Sequence, residues 1–362
     1  MKSGFLVDGS HLPLGVQPDG PHDPVRDPVS LTGWAIEQVD WIEDKLLNHG
    51  ALLFRGYGFD SPEVFESFAG AISPKFMDYT RGTSPRKKVK GHIYTSTEAP
   101  SIASIPLHCE MSYLNQFPGK ILFYCHIPAK RGGQTPIADM RRVCEAIDSG
   151  VRRRFEEKEL RLIQNVPERR TVFAPRSWRE MFETDDRAFV ESFCRSQGIA
   201  FQWKPDGTLQ LINIRPAVLK HPKTAENVWF NSAHNFHDSL SWEVRRLGRR
   251  LIAGLLKLAE WKRRRQLRAE DRPYHCTFAD GSEIPIEDID HIRAVLWNHA
   301  VLFDWQRGDV LVLNNTLIAH GRMPYSGPRR VLVALSEPWD LSAPTGASAI
   351  RLDGGHNDPA TK

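Results

Sequence analysis

Apolar residues at Ala35, Val39, Ile42 and Leu46 recur every three to four positions. This spacing predicts a helix from Trp34 to His49, closed by Gly50 where a left-handed cap favours glycine. A short apolar strand, Ala51–Phe54, is expected next. Ser61-Pro62 then opens a second helix, with Ser61 as N-cap, Pro62 in the first turn, where its missing N–H costs nothing, and Val64, Phe65, Phe68 and Ile72 on the buried side. Further along the period changes. The segments 119–127, 207–214, 228–231, 300–303, 309–314 and 330–335 are short, β-branched or aromatic, and bounded by Gly, Pro or Asn, which predicts antiparallel strands. Helical spacing returns at 139–158, near 186–197 and at 241–270. In the last of these, Leu247, Leu251, Leu255 and Leu258 form the expected buried face, and Arg249, Arg250, Lys257 and the run Lys262–Arg265 a solvated basic one.

Few helices among many short strands, without regular strand–helix alternation, favour a mainly β fold with helical insertions, a sandwich or jelly roll, over a parallel sheet. No GxGxxG follows a strand, which argues against dinucleotide binding. The chain of 362 residues is expected to form one domain over 1–362, with an irregular N-terminal arm at 1–30, rich in Pro, Asp and Gly, and a helical insertion at about 140–300. Hydrophobic residues at 41% and charged residues at 25% are ordinary for a globular protein and leave no room for extended disorder. A net charge of +4 is small for this length and gives no reason to expect a nucleic-acid partner. Five widely spaced cysteines without a CxxC pair fit a reducing cytoplasm. No apolar run reaches the length of a secretion signal or a membrane span, so no membrane partner is expected either.

The chemistry concentrates in two segments. In Ile105–Tyr113, IPLHCEMSY, His108 and Glu110 are two apart and would share one face of an extended strand. In Asp309–Arg322, DVLVLNNTLIAHGR, an apolar strand and a turn at Asn314-Asn315 lead to His320. Two imidazoles and one carboxylate form the facial triad that suits ferrous iron and leaves positions open for a co-substrate and O₂. Pro328-Arg329-Arg330 follows shortly after, and a fixed guanidinium there suits the distal carboxylate of 2-oxoglutarate. Arg330 is the preferred candidate, though adjacent Arg329 could take its role. Alone, an HxE pair occurs by chance in many chains, and His320 after Leu317-Ile318-Ala319 could be a core histidine; the conjunction with the arginine raises the signal.

The blocks 91–113, 117–141, 227–237 and 305–335 together resemble, in family order, the taurine dioxygenase and clavaminate synthase-like superfamily of iron(II)- and 2-oxoglutarate-dependent oxygenases. Within it, the chain looks most like the syringomycin-biosynthesis aspartyl hydroxylase (SyrP-like) group. The resemblance implies a double-stranded β-helix (jelly roll), iron ligands at His108, Glu110 and His320, and a co-substrate clamp of Arg330 with the hydroxyl of Thr135. Because Glu110 keeps the carboxylate that halogenating relatives lack, it implies hydroxylation of an unactivated C–H bond rather than halogenation. The implied substrate is an amino acid, free or bound to a carrier protein, in specialised metabolism. Desaturation, cyclisation or N-oxidation stay open, and a zinc hydrolase or a non-catalytic jelly-roll binding protein are the competing classes. Two positions depart from the family pattern: Ser232, where relatives often carry Gln, and Asn314, where Asp is common. His234, Phe236 and His237 could line a substrate pocket, and Tyr113, Asn115 and Arg322 could touch substrate, with structural roles equally open. The basic helix, extended by Arg86–Lys90, could dock an acidic carrier.

Overall fold

A computed structural model describes residues 1–79, 86–170 and 176–341. Its largest element is an eight-stranded sheet. In spatial order the strands are Lys2–Phe5, Leu14–Gln17, Ala51–Phe54, Val310–Asn314, Gln116–Ile127, Arg330–Asp340, Ile93–Thr95 and Lys88–Lys90. All neighbours are antiparallel except Leu14–Gln17 with Ala51–Phe54.

Successive side chains in these strands point to opposite faces, and in the central strands both faces are buried. Leu52, Phe54, Leu122, Tyr124, Val312, Leu332 and Ala334 pack under the helices Pro28–Glu37, Val39–His49 and Pro62–Ile72, against Leu31, Leu46, Phe65 and Phe68. Their neighbours Leu53, Ile121, Phe123, Leu313, Val331 and Val333 point the other way, into the main core. Across that core lies a smaller sheet of Ile105–His108, Ile318–Arg322 and Ile137–Asp139. Double burial explains why VLVL and VLVAL read as unbroken apolar runs rather than alternating ones.

Local signals held where the chain itself carries them. Ser61 accepts a bond from the N–H of Val64 at the head of Pro62–Ile72, Gly50 sits at φ 74 after Val39–His49, and Ala51–Phe54 is a strand. Other expectations need correction. The first helix is two helices: Asp27 caps Pro28–Glu37, and the backbone leaves helical geometry at Gln38 before Val39–His49 begins. The arm at 1–30 is not merely irregular, because Leu14 and Val16 alternate inward and their strand extends the large sheet.

The segment 140–300 also carries its own antiparallel sheet of Ala200–Trp203, Leu209–Arg215, Leu160–Val166 and Tyr274–Phe278. The strand at 228–231 shrinks to Asn227–Val228, and 300–303 to a single bridge from Val301 to Ile137. The helical pattern at 241–270 splits into Leu240–Arg246 and Arg250–Gln266, and its leucine face lies outward. Leu251 is 88% exposed and Leu255 71%, while Ala253 is the buried residue of the longer helix. Ion pairs of Arg263 and Arg264 with Asp238 tie the helix down instead. Among the described residues, no helix is long and apolar enough to cross a membrane.

At one end of the sheet Arg55 grips Asp309 through two bonds, Nε to Oδ1 at 3.0 Å and Nη2 to Oδ2 at 2.7 Å, and Asp309 is 1% exposed. Removing one partner leaves the other charge shielded from water without compensation. Asp309→Ala is therefore expected to cost about 3 kcal/mol of unfolding free energy in urea denaturation monitored by circular dichroism.

Candidate metal centre and adjoining cavities

Strand Ile105–His108 runs antiparallel to Ile318–Arg322 with His108 directly opposite His320. Directly opposed side chains are close neighbours, and the two ring centroids lie 4.5 Å apart. Glu110 arrives differently from the expected strand alternation. The strand ends at His108, and Met111 takes φ 56, so a turn carries the carboxylate back to the histidines. Asn315 fixes that turn: its Oδ1 accepts the Glu110 N–H at 2.7 Å, and its Nδ2 donates to the carbonyls of Glu110 at 3.0 Å and Pro118 at 2.8 Å.

One donor atom from each of His108, Glu110 and His320 lies within 4.8 Å of the others. Nδ1 of His108 is 2.9 Å from the Pro106 carbonyl; donating its proton there leaves Nε2 bare. Nε2 of His320 lies 3.8 Å from Oε2 of Glu110, while its Nδ1 is buried without a partner. Burial, then the neighbouring His108 and Arg86, hold the His320 pKa well below the usual imidazole value, so this ring is neutral and able to donate a lone pair. Two imidazoles and a carboxylate fit a divalent cation such as ferrous iron.

Two cavities meet at this centre. The first is lined by Arg86, Phe123, Thr135, Arg329 and Val331 together with His108 and His320. Thr135 is 3% exposed and its hydroxyl accepts the Trp305 indole N–H at 3.0 Å. Arg329 donates Nε to the Gly133 carbonyl at 3.0 Å; burial, and secondarily Arg322, lower its pKa to about 10. Gly133 is required for this approach: at φ 75, a Cβ would lie 3.0 Å from Cδ of Arg329 and 2.9 Å from Ala129.

Arg330, the expected clamp, is exposed and does not line the cavity. Strand alternation is the reason. Arg329 shares the inward face of Val331 and Val333, whereas Arg330 shares the face of Leu332 and Ala334, beyond the end of the helical cover.

The second cavity, about 260 Å³, is lined by His108, Glu110, Tyr113, Ser232, Phe236 and Tyr274, among others. Ser232 bonds Ser112 at 2.7 Å between hydroxyls. Three other candidates are held by hydrogen bonds, and of these Arg322 also lines the first cavity. His234 holds the Leu107 carbonyl at 2.7 Å through Nε2, Asn115 bonds the Gln197 carbonyl and Arg215, and Arg322 donates to the carbonyls of Ala99, Pro100 and Ala103. His237 borders a neighbouring cavity beside the helix Arg250–Gln266. Asn314 accepts from Thr316 and does not reach the triad; Asn315 is the residue behind Glu110.

Sequence reasoning missed Arg86 as a site residue. Its Nη2 lies 2.5 Å from Oε2 of Glu110, and no local pattern marks an arginine at a strand-poor position as buried.

A model of the family described as taurine catabolism dioxygenase TauD, TfdA family matches residues 15–335. The dapdiamide synthesis protein DdaC of Enterobacter agglomerans is 36% identical over 312 residues, covering 86% of this chain and 89% of DdaC. A clavaminate synthase-like protein of Arabidopsis thaliana is 30% identical over 304 residues, covering 82% of this chain and 84% of its own length. Two solved structures share the fold. PvcB of Pseudomonas aeruginosa has a TM-score of 0.50 at 14% identity, with 89% of this chain and 84% of PvcB covered. AAD-2, solved with Mn(II) and N-oxalylglycine, has a TM-score of 0.50 at 12% identity, with 93% and 97% covered.

Taken with the His–Glu–His cluster, these findings make the protein an enzyme of the class of iron(II)- and 2-oxoglutarate-dependent oxygenases. Within that class, the chain belongs to the TauD/TfdA dioxygenase family.

Asn315→Ala removes the bonds that aim Glu110 and is expected to weaken Mn(II) binding by about 10- to 100-fold in calorimetric titration, with the fold retained. A pH dependence follows from His234, whose pKa burial lowers to about 4. Between that value and about 6.5 the unfolded chain binds a proton that the folded chain refuses, so stability is full above this window and falls with acidification. From pH 7 to pH 5 this group alone should cost about 2 kcal/mol, and His234→Gln should flatten the urea-midpoint profile accordingly.

Proposed function

We propose that His108, Glu110 and His320 hold the iron, and that Arg329 with Thr135, rather than Arg330, receives the distal carboxylate of 2-oxoglutarate. The observation that carries this reading is the cleft that a largely buried guanidinium and a buried hydroxyl share with two of the candidate metal donors, His108 and His320. A planar guanidinium and a hydroxyl suit a carboxylate.

Iron and 2-oxoglutarate, when bound, supply the O₂-dependent oxidation of an unactivated C–H bond. The chain's residues then have defined tasks. His108, His320 and the single carboxylate of Glu110 would hold the metal, Phe123 and Val331 wall the co-substrate away from water, and the second cavity orients the substrate. That cavity, about 260 Å³ with Tyr113, Ser232, Phe236 and Tyr274 on its walls, suits an amino-acid-sized molecule with both polar and apolar parts. Hydroxylation is the outcome we favour, in a specialised biosynthetic pathway; the relative DdaC is a dapdiamide synthesis protein.

The two opposed sheets fit a double-stranded β-helix, with the triad between them. A carrier-bound aminoacyl substrate is the finer reading of the outward stripe Leu251, Leu255, Leu258 and Trp261, flanked by Lys257, Lys262 and Arg265, which suits an acidic apolar partner surface. Five buried cysteines, widely spaced and without a CxxC pair, suit the cytoplasm.

The test is O₂-dependent succinate formation by protein loaded anaerobically with Fe(II), across an amino-acid panel. His108→Ala is expected to abolish it. Arg329→Gln should raise the KM for 2-oxoglutarate by about 30-fold or more, while Arg330→Gln stays near wild type. Sensitivity to Arg330 instead of Arg329 would return the clamp to Arg330, and failure of the wild type to bind iron and 2-oxoglutarate would remove the assignment.

A further inference from the structure

Arg86 has no task in the function above, yet it lies at its centre. Its side chain is 3% exposed, its Nη2 is 2.5 Å from Oε2 of Glu110, and its guanidinium stacks 4.0 Å from the ring centroid of Tyr79. Nε and Nη1 are buried without partners. A shielded cation on this scale needs an anion, and here that anion is the carboxylate expected to serve the metal.

A divalent cation among the three donors would put two cationic groups on one carboxylate, so the metal and Arg86 compete for Glu110. Once the metal draws on Glu110, the guanidinium requires another anionic oxygen close by. Arg86 lines the cleft of Thr135 and Arg329 and not the Tyr113–Ser232 cavity. Of the three guanidiniums that line the cleft, Arg322 has its terminal nitrogens on backbone carbonyls, which leaves Arg86 beside the metal donors and Arg329 as the two matched to a molecule with a carboxylate at each end.

We propose that Arg86 is an exchangeable anion anchor: it holds Glu110 while the metal is absent, and passes to the keto-acid carboxylate of the co-substrate when metal and co-substrate bind together. This rests on the reading of the cleft given above. It makes metal and co-substrate mutually dependent, because metal alone meets the repulsion of Arg86 and the co-substrate relieves it.

The experiment is calorimetric titration of Mn(II) into wild type, Arg86→Gln and Arg86→Lys, with and without saturating 2-oxoglutarate, and of 2-oxoglutarate into the Mn(II)-loaded proteins. Arg329→Gln is the control. Without 2-oxoglutarate, Arg86→Gln should bind Mn(II) about tenfold more tightly than wild type, since a competing charge is gone. Loaded with Mn(II), the same variant should bind 2-oxoglutarate about 30-fold more weakly. Arg86→Lys keeps the charge but not the fork, so its Mn(II) affinity should stay within about twofold of wild type while its 2-oxoglutarate affinity falls. This variant decides the matter if Arg86→Gln does not fold. Arg329→Gln should weaken 2-oxoglutarate binding and leave Mn(II) binding alone unchanged.

Weaker Mn(II) binding by Arg86→Gln in the absence of 2-oxoglutarate would overturn the proposal, since it would make Arg86 a residue that merely orients Glu110. Unchanged 2-oxoglutarate affinity in both Arg86 variants would also overturn it. A wild type that binds neither Mn(II) nor 2-oxoglutarate overturns the underlying functional reading, whereas normal wild-type binding with indifferent Arg86 variants overturns this inference alone.

Discussion

The centre depends on the pairing of two short strands, Ile105–His108 and Ile318–Arg322, drawn from distant parts of the chain. Their register sets His108 opposite His320, and a slip by one residue would turn an imidazole to the other face. The pairing is braced on several sides. His234 holds the Leu107 carbonyl, Arg322 gathers three carbonyls of the segment before Ile105, and Ile137–Asp139 flanks the second strand. Gly321 permits the close approach: a Cβ there would lie 2.6 Å from the Ile105 carbonyl oxygen. Glu110 joins the pair through a separate device, the Met111 turn held by Asn315.

Around the cleft, the shielded arginines Arg322, Arg329 and Arg86 are compensated in three different ways. Arg322 has its terminal nitrogens on backbone carbonyls, bracing the segment before Ile105, while it also lines the cleft. Arg329 holds one carbonyl through Nε and lines the cleft. Arg86 leans on a carboxylate that belongs to the metal centre. In an interior of low effective dielectric, each placement is tolerable only with compensating oxygen, so the pattern of compensation separates structure from binding.

Much of this was legible because it is written locally. The cap at Ser61, the left-handed Gly50, the strands at 51–54 and 309–314 and the HxE with a later histidine depend on near neighbours or on donor chemistry. The choice between Arg329 and Arg330 was not legible, because both faces of Arg330–Asp340 are buried over Val331–Ser336 and the apolar run carries no alternation to count. The leucine stripe of Arg250–Gln266 misled for the converse reason: periodicity reveals a face but not what covers it.

By itself, then, the sequence determined the strand-rich character of the chain, several element boundaries and three candidate donors that the fold brings together, because backbone propensity, capping and ligand chemistry are properties of residues and their neighbours. Only the tertiary structure decided that His108 faces His320, that a turn brings in Glu110, that Arg329 points inward and that Arg86 reaches the carboxylate. Those outcomes follow from register, sheet parity and burial, which are set by contacts between segments far apart in the chain.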